Sequence, residues 1–337
     1  MWLWYDWQAA AVADEEGTIH DQATWDGFYD QRAVIERLQC VANNSLTPEA
    51  KVLLERFPEA KPTIHGDLQL PNAEWPLPSN EALTAVDKAA TEMARQGVAK
   101  AAGDPDRRLE HLLRASDEMR STYLTMDARL VEWIGLFLPE VRFGKDRSSL
   151  PKQVENSDSL EMLANKLEVS MPEDGPSKSE WKSLREWGES TATFKGKLDR
   201  LENAIRELAQ NHLPSLSIML GPLLAARLCV EAHGRMRLAR LPAGTVQVLG
   251  AEKAFFHHLK TGAAPPKHGH IFMHPWISRS PRWVRGKIAR TIAAKASIAA
   301  KVDAFEGEPW TQEMIDVIDQ KIEEIKAAHP KPNRNKR

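Results

Sequence analysis

The chain has 337 residues, 42% apolar and 27% charged, with a formal net charge of −2 and two cysteines. That composition fits a folded protein of roughly two or three domains. It excludes a disordered polyelectrolyte, a simple polycation and a disulfide-stabilised scaffold. Cys40 and Cys229 are far apart and form no CxxC, which points to a reducing, cytoplasmic setting. The opening MWLWYDWQAAAVADEEG has no basic n-region and is interrupted by Asp6, so it does not read as a signal peptide. The longest apolar run, SIMLGPLLAARLCV, is broken by Pro222 and Arg227 and is too short to span a bilayer.

In chain order, WLWYDW, a small-residue run, Gly17 and TIHDQATW predict a hairpin-like strand pair. Trp2 and Trp4 should share one strand face opposite Leu3 and Tyr5, leaving one face for the core and one available. FYDQRAVIERLQCVA predicts a helix, and LTPEAKVLLERFP another, with Thr47 as N-cap and Pro48 at the first helical position. PNAEWPLPSNE then breaks regular structure. Residues 1–85 thus read as a small α/β domain.

Two long helices follow. The first opens at Asp104-Pro105 and ends before Pro139, with a ladder through Leu109, Leu112, Ser116, Met119, Tyr123, Met126, Leu130, Trp133 and Phe137. The second opens on a capping box, Ser177 and Glu180. Its ladder runs through Leu184, Trp187, Thr191, Phe194, Leu198, Leu201, Ile205, Leu208 and His212. Both are sustained heptad patterns. They fit an antiparallel helical pair with an irregular tip, or two ordinary core helices of a bundle. Between them only SLEMLANKLEV is helix-like. Further on, GKIARTIAAKASIAAKV places Ile288, Ile292, Ala296 and Ala299 on one face and Lys287, Arg290 and Lys301 on another. TQEMIDVIDQKIEEIKAAH is an amphipathic helix with Met314, Ile315, Ile318, Ile322 and Ile325 inward. The last residues, 329–337, read as a basic disordered tail.

Charge is segregated along the chain. Residues 1–100 carry eight Lys/Arg against sixteen Asp/Glu, whereas residues 253–302 carry ten Lys/Arg and no acid. Within the second segment HHLKTGAAPPKHGHIFMHP holds five histidines, His257, His258, His268, His270 and His274. A metal reading of His268, His270 and His274 lacks cysteine or carboxylate partners, and a cation would sit among bases. A catalytic reading lacks a local nucleophile and an orienting carboxylate. An anion surface fits best. Lys253, Lys260 and Lys267 attract phosphate, and Trp276 and Trp283 offer stacking planes. The helix after Gly250 offers its N–H groups and dipole.

Residues 241–305 resemble the Nop domain. The resemblance is carried by GAEK (Gly250, Glu252, Lys253), the Thr261–Gly269 stretch TG…PPKHG, His274-Pro275, SPRW-x-RGKIAR (Ser280–Arg290) and AAK-x-x-IAA-x-VDAF. With LVEWIGLFLPE and KIEEIKAAHPKP, it extends over about 105–332. It departs at Ala254-Phe255-Phe256-His257, where many members read ALFR, at His233-Gly234, and at Pro214-Ser215.

The family implies an archaeal box C/D ribonucleoprotein scaffold, similar to the eukaryotic Nop-fifty-six and Nop-fifty-eight proteins. The implied fold is mainly α: a small α/β domain (1–85) docking fibrillarin, a coiled-coil homodimerisation domain (86–212) and an all-α RNA-binding Nop domain (213–328). The implied partners are a box C/D guide RNA, fibrillarin, the archaeal kink-turn-binding ribosomal-type protein and a second copy of the chain, for 2′-O-methylation of rRNA or tRNA. S-adenosylmethionine would belong to fibrillarin; this chain would need no metal or cofactor and would not be an enzyme. The residues expected at RNA are Gly250, Glu252, Lys253, Lys260, Thr261, Lys267, His268, Arg282, Trp283, Arg285, Lys287 and Arg290. Leu184, Trp187, Phe194, Leu198, Leu201 and Ile205 are expected in the dimer seam. The competing readings are an RNA-modifying enzyme built on the histidines and a splicing-type Nop protein working without a methyltransferase.

Overall fold

A two-residue period sends Leu3 and Tyr5 to one side of the first strand and Trp4 to the other. The computed structural model describes residues 1–67, 74–141, 144 and 147–331. In it, this strand, β1 (Trp2–Tyr5), lies in a four-stranded sheet ordered β3-β2-β1-β4. β2 (Ala9–Ala13) pairs antiparallel with β1 and with β3 (Ile19–Thr24), and β4 (Lys61–Ile64) pairs with β1 in parallel. The expected hairpin is therefore a three-strand meander. The small-residue run AAAVA is itself a strand, buried at every position, because alanine allows close cover on both faces. Asp6 makes the β1–β2 turn: its carboxylate accepts the N–H groups of Gln8 and Ala9 at 2.7 and 2.8 Å, and the Trp75 indole N–H at 2.7 Å.

Leu3, Tyr5, Ala10 and Val12 pack with Ala50 and Leu53 of α2 (Pro48–Arg56). On the other face Trp2, Ile19 and Trp75 cover Trp4 and Ala13. That face is not left open for a partner, and Trp4 is only 4% exposed. Thr47 stands at the N-cap of α2, but its hydroxyl makes no capping bond. Arg37 of α1 (Gln31–Ala42) donates to the Trp7 carbonyl, pairs with Glu49 and stacks on Trp25, which holds that end of the sheet. Ser79 caps α3 (Asn80–Ala102), which packs against α1 and runs across residue 86; the chain divides into two units between Gly103 and Asp104.

In the second unit α4 (Pro105–Phe137) and α7 (Lys178–His212) start where the sequence predicts. Asp104 caps the first through the Asp106 N–H, and Ser177 and Glu180 exchange both bonds of the capping box. The helices run antiparallel. Asp106 meets His212 at 2.7 Å, Arg120 pairs with Glu202, and the Trp187 indole N–H donates to the Met126 carbonyl at 3.0 Å.

The buried rows differ from the predicted ladders by one residue at alternate positions. Leu184, Thr191, Leu198 and Ile205 are buried, but Gly188, Glu202 and Ala209 complete the row, while Trp187, Phe194, Leu201 and Leu208 are only half-buried beside it. On α4 Leu113, Asp127 and Ile134 take the buried positions expected of Leu112, Met126 and Trp133. A helix turning every 3.6 residues drifts from a 3.5-residue pattern by about 20° per heptad, so apolarity alone selects the neighbour. Asp127 is tolerated because Arg147 donates to it at 2.6 Å.

The segment joining the two helices is not an irregular tip. α5 (Leu150–Glu155) and α6 (Leu160–Leu167) place Leu150, Val154 and Leu163 in one core with Leu130, Ile134, Trp181 and Leu184. Gly188 permits the approach, since a Cβ there would stand 2.7 Å from Cγ1 of Val154.

The remaining helices assemble around α14 (Arg285–Ala304), which packs against α8 (Pro214–Leu220), α10 (Arg235–Arg240) and α11 (Ala243–Val248). Its Ile288, Ile292, Ala296 and Ala299 are buried and its Lys287, Arg290 and Lys301 exposed, as the helical wheel requires. α15 (Gln312–Ala327) turns Ile315, Ile318 and Ile322 inward, but Met314, expected inward, is 51% exposed. Residues 332–337 of the predicted disordered tail lie outside the described residues, as do 71–73 of the Pro-rich break. Among the described residues no single helix is long and apolar enough to cross a membrane. α8 and α9 (Pro222–Glu231) reach that length only together, bent by 119°.

Candidate nucleic-acid interface

The predicted RNA residues of the second unit lie at Gly250 and in α12 (Glu252–Thr261), in the loop after it (Lys267, His268), and from Arg282 and Trp283 into the first turns of α14, with a 3-10 turn (His270–Met273) between the loop and α14. Backbone pairing holds the loop in place. Gly269 N–H donates to the Gln247 carbonyl and His270 N–H to the Leu249 carbonyl, each at 2.8 Å, while the Gln247 amide donates to the Lys267 carbonyl at 2.7 Å. Gly250 is required here: its φ is +84°, and a Cβ would collide with the His270 ring. Lys267 lies alongside Gly286, which joins the loop to the start of α14.

Charge is the dominant feature. Among the described residues Lys253, Lys260, Lys267, Arg282, Arg285, Lys287 and Arg290 make no ion pair; the ion pairs pass from Arg227 and His270 to Lys321. All but Arg285 are exposed. Cations without acidic neighbours keep their full attraction for phosphate.

Individual residues differ in what they can offer. Arg285 gives Nε and Nη2 to the carbonyls of Ser280 and Ser278, at 2.8 and 2.9 Å, so most of its fork is committed to the preceding turn. Thr261 is committed to capping, donating to the His257 carbonyl and accepting from the Ala263 N–H. The Gly250 N–H, just before α12, donates to the Glu252 carboxylate at 2.7 Å. Trp283 is 45% exposed, and its indole N–H donates to the His329 carbonyl at 2.9 Å. Lys287 also reaches the His329 ring.

Each of the histidines of 257–274 has its own neighbours, and among the described residues no three of them come together with another metal-ligating side chain. His274 is half-buried, caps the short helix α13 (Pro275–Ser278) through Trp276 N–H, and burial pulls its pKa down to about 4. His270 lies 3.3 Å from Glu231, a partner 39 positions upstream that the local sequence could not disclose. His268 stacks on Phe272 at 4.4 Å, and the Arg285 guanidinium also lies over that ring. Burial, with Arg285 and Lys267 nearby, holds the His268 pKa below its ordinary value despite an opposing backbone hydrogen bond. It therefore stays neutral near pH 7 and keeps both donor and acceptor chemistry. Phe272, the platform for this pair, is absent from the predicted set; its signal was its position four residues beyond His268.

Beside this surface α12 buries none of its residues, and Phe255 and Phe256 line a cleft of about 370 Å³ against Pro242, Val248 and Leu249 of the α11 segment. The Nop family model, described as "snoRNA binding domain, fibrillarin", matches residues 128–324. An uncharacterized NOP5 family protein of Methanocaldococcus jannaschii is 31% identical over 259 residues, covering 72% of this chain and 62% of that protein. Nucleolar protein 58 of Candida albicans is 35% identical over 159 residues, 47% of this chain and 30% of its own length. Nucleolar protein 56 of Homo sapiens is 40% identical over 127 residues, 38% and 20% of the respective chains. A solved chain titled as from a fibrillarin/Nop5p complex is 20% identical, covering 94% of this chain and 99% of its own, with a TM-score of 0.43. The chain spans less than two thirds of the length of these curated relatives.

Proposed function

This chain belongs to the Nop family, and from that premise we propose that it is a non-catalytic scaffold of a box C/D ribonucleoprotein. Its second unit grips a kink-turn guide RNA jointly with the archaeal kink-turn-binding ribosomal-type protein. Its first unit recruits fibrillarin, which holds S-adenosylmethionine and methylates the 2′-hydroxyl of rRNA or tRNA. The observation that carries this reading is the row of cations, Lys253 to Arg290, with no acidic partner among the described residues. The excess of acids over residues 1–100 repels RNA and suits a protein partner. With Trp4 buried, Phe28, 92% exposed, is the better apolar anchor for that partner.

A chain beginning at Asp104 is expected to bind kink-turn RNA carrying its protein as tightly as the full chain, yet to lose fibrillarin in co-purification. Retained fibrillarin, or a large loss of RNA affinity from a folded truncate, overturns the division of labour. The full chain with guide RNA and S-adenosylmethionine, but no fibrillarin, is expected to transfer no methyl group.

The same scaffold is proposed to form a homodimer. Leu184, Leu198 and Ile205 are spent inside the chain, so the row available to a second copy is Trp187, Phe194 and Leu201. Phe194→Asp with Leu201→Asp places charges where a dimer would strip them of water, at a cost no surface contact offsets. Light scattering should then report monomer with RNA binding intact. A persistent dimer would remove this row from the interface.

A further inference from the structure

A second cluster of reactive side chains lies away from the basic surface. Asp106 in the first turn of α4, His212 at the end of α7 and Cys229 in α9 meet where the helical pair joins the C-terminal core. His212 Nε2 is 2.7 Å from Oδ1 of Asp106, and the Cys229 thiol donates to the same oxygen at 3.2 Å. The three ligand atoms all lie within 4.8 Å of one another. Cys229 is buried, the His212 side chain is 9% exposed and that of Asp106 25%. Asp106 Oδ2 accepts the Arg235 N–H at 3.0 Å, and Gly234 comes so close that a Cβ there would stand 2.7 Å from it.

We propose that Asp106, His212 and Cys229 form a zinc site, holding one ion through carboxylate, imidazole and thiolate, with water as the fourth ligand.

The donor set favours zinc, which takes nitrogen and sulfur ligands readily and binds in a tetrahedron. A thiolate and a carboxylate cancel the double charge of the ion, so a neutral cluster is buried. His268, His270 and His274 could not do this among the lysines and arginines around them. Zinc bonds of about 2.0–2.3 Å separate neighbouring ligand atoms by roughly 3.3–3.7 Å. The present spacings of 2.7 and 3.2 Å lie just below that range, and the third, between His212 and Cys229, is within 4.8 Å. The Arg235 N–H fixes the carboxylate from behind, as outer partners of metal ligands do. The exposed edge of Asp106 supplies an entry path and room for water. Binding breaks the Cys229 S–H and the His212 Nε2–H bonds: the thiol proton goes to solvent, the neutral imidazole takes its proton at Nδ1 instead, and zinc–sulfur and zinc–nitrogen bonds form with no change of oxidation state. The ion then ties α4, α7 and α9 at the joint between the helical pair and the RNA-binding core.

The test is a titration of the full-length protein with Co²⁺. One ion per chain is expected, with a near-ultraviolet thiolate-to-cobalt absorption band that added Zn²⁺ abolishes. Zn²⁺ should also raise the melting temperature, reversibly with a chelator. Cys229→Ser keeps a donor to Asp106 of similar size but has no thiolate, so it should lose both the band and the thermal shift. Cys40→Ser should keep both. The site is overturned by a wild-type chain that shows no band with Co²⁺ in excess. A band that survives Cys229→Ser overturns it equally. The wild-type titration decides even if a variant fails to fold.

Discussion

Lys287→Ala together with Arg290→Ala should weaken binding of kink-turn RNA carrying its protein by about a hundredfold, at roughly 1.5 kcal/mol per charged hydrogen bond lost. The two side chains are one turn apart on the exposed face of α14, whose opposite face is locked into the core by Ile288 and Ile292. The pair can therefore be removed without disturbing the packing that holds the helix. Two lost phosphate contacts should also flatten the slope of log affinity against log salt by roughly two units. Lys287 must leave the His329 ring to reach a phosphate, so His329→Ala should strengthen RNA binding slightly. An unchanged affinity and slope would take α14 off the RNA surface. A fall in affinity with the slope intact would assign the effect to lost structure rather than to lost charge.

Asp303→Ala should destabilise the second unit by about 2–6 kcal/mol, since two buried N–H groups lose their acceptor at roughly 1–3 kcal/mol each. Asp303 sits at the end of α14, 6% exposed, and its two carboxylate oxygens accept Ser215 N–H at 2.8 Å and Leu216 N–H at 2.9 Å. It thus serves as a remote N-cap of α8, joining positions 88 residues apart. Asp303→Asn keeps one acceptor oxygen and should lose about half as much. Because the chain has two units, hydrogen exchange of the α8 and α14 amides is the proper measure, not a single melting curve. Protection that survives Asp303→Ala would show that apolar packing alone holds the joint.

Much of this architecture follows from local patterns. Helix starts at Asp104, Ser177 and Pro48 are readable because a capping side chain or a proline acts within one turn. The inward and outward faces of α14 follow from helical period, and the basic surface follows from fifty residues without an acid. Those are properties of neighbouring residues, and the chain carries them wherever it folds. Contacts between distant segments are another matter. β4 shows no alternation in KPTI and becomes a strand only because β1 offers an edge. That Trp187 reaches α4 while Gly188 meets α5 depends on how far the helix has rotated and on Val154 arriving from α5.

The functional residues divide in the same way. Lys287 and Arg290 are legible because charge and helical spacing are local, whereas the commitment of Arg285 to two carbonyls is a matter of where the turn lies. Histidine density drew attention to 257–274, yet burial set the state of His274 and a carboxylate on α9 came to meet His270. Asp106, His212 and Cys229 form no motif, since their separations of 106 and 17 residues encode nothing by themselves. Periodicity and composition specify which face of an element avoids water, because that depends on a few adjacent side chains. Which faces meet, and so which acids, thiols and imidazoles share a site, is decided only when the helices close on one another.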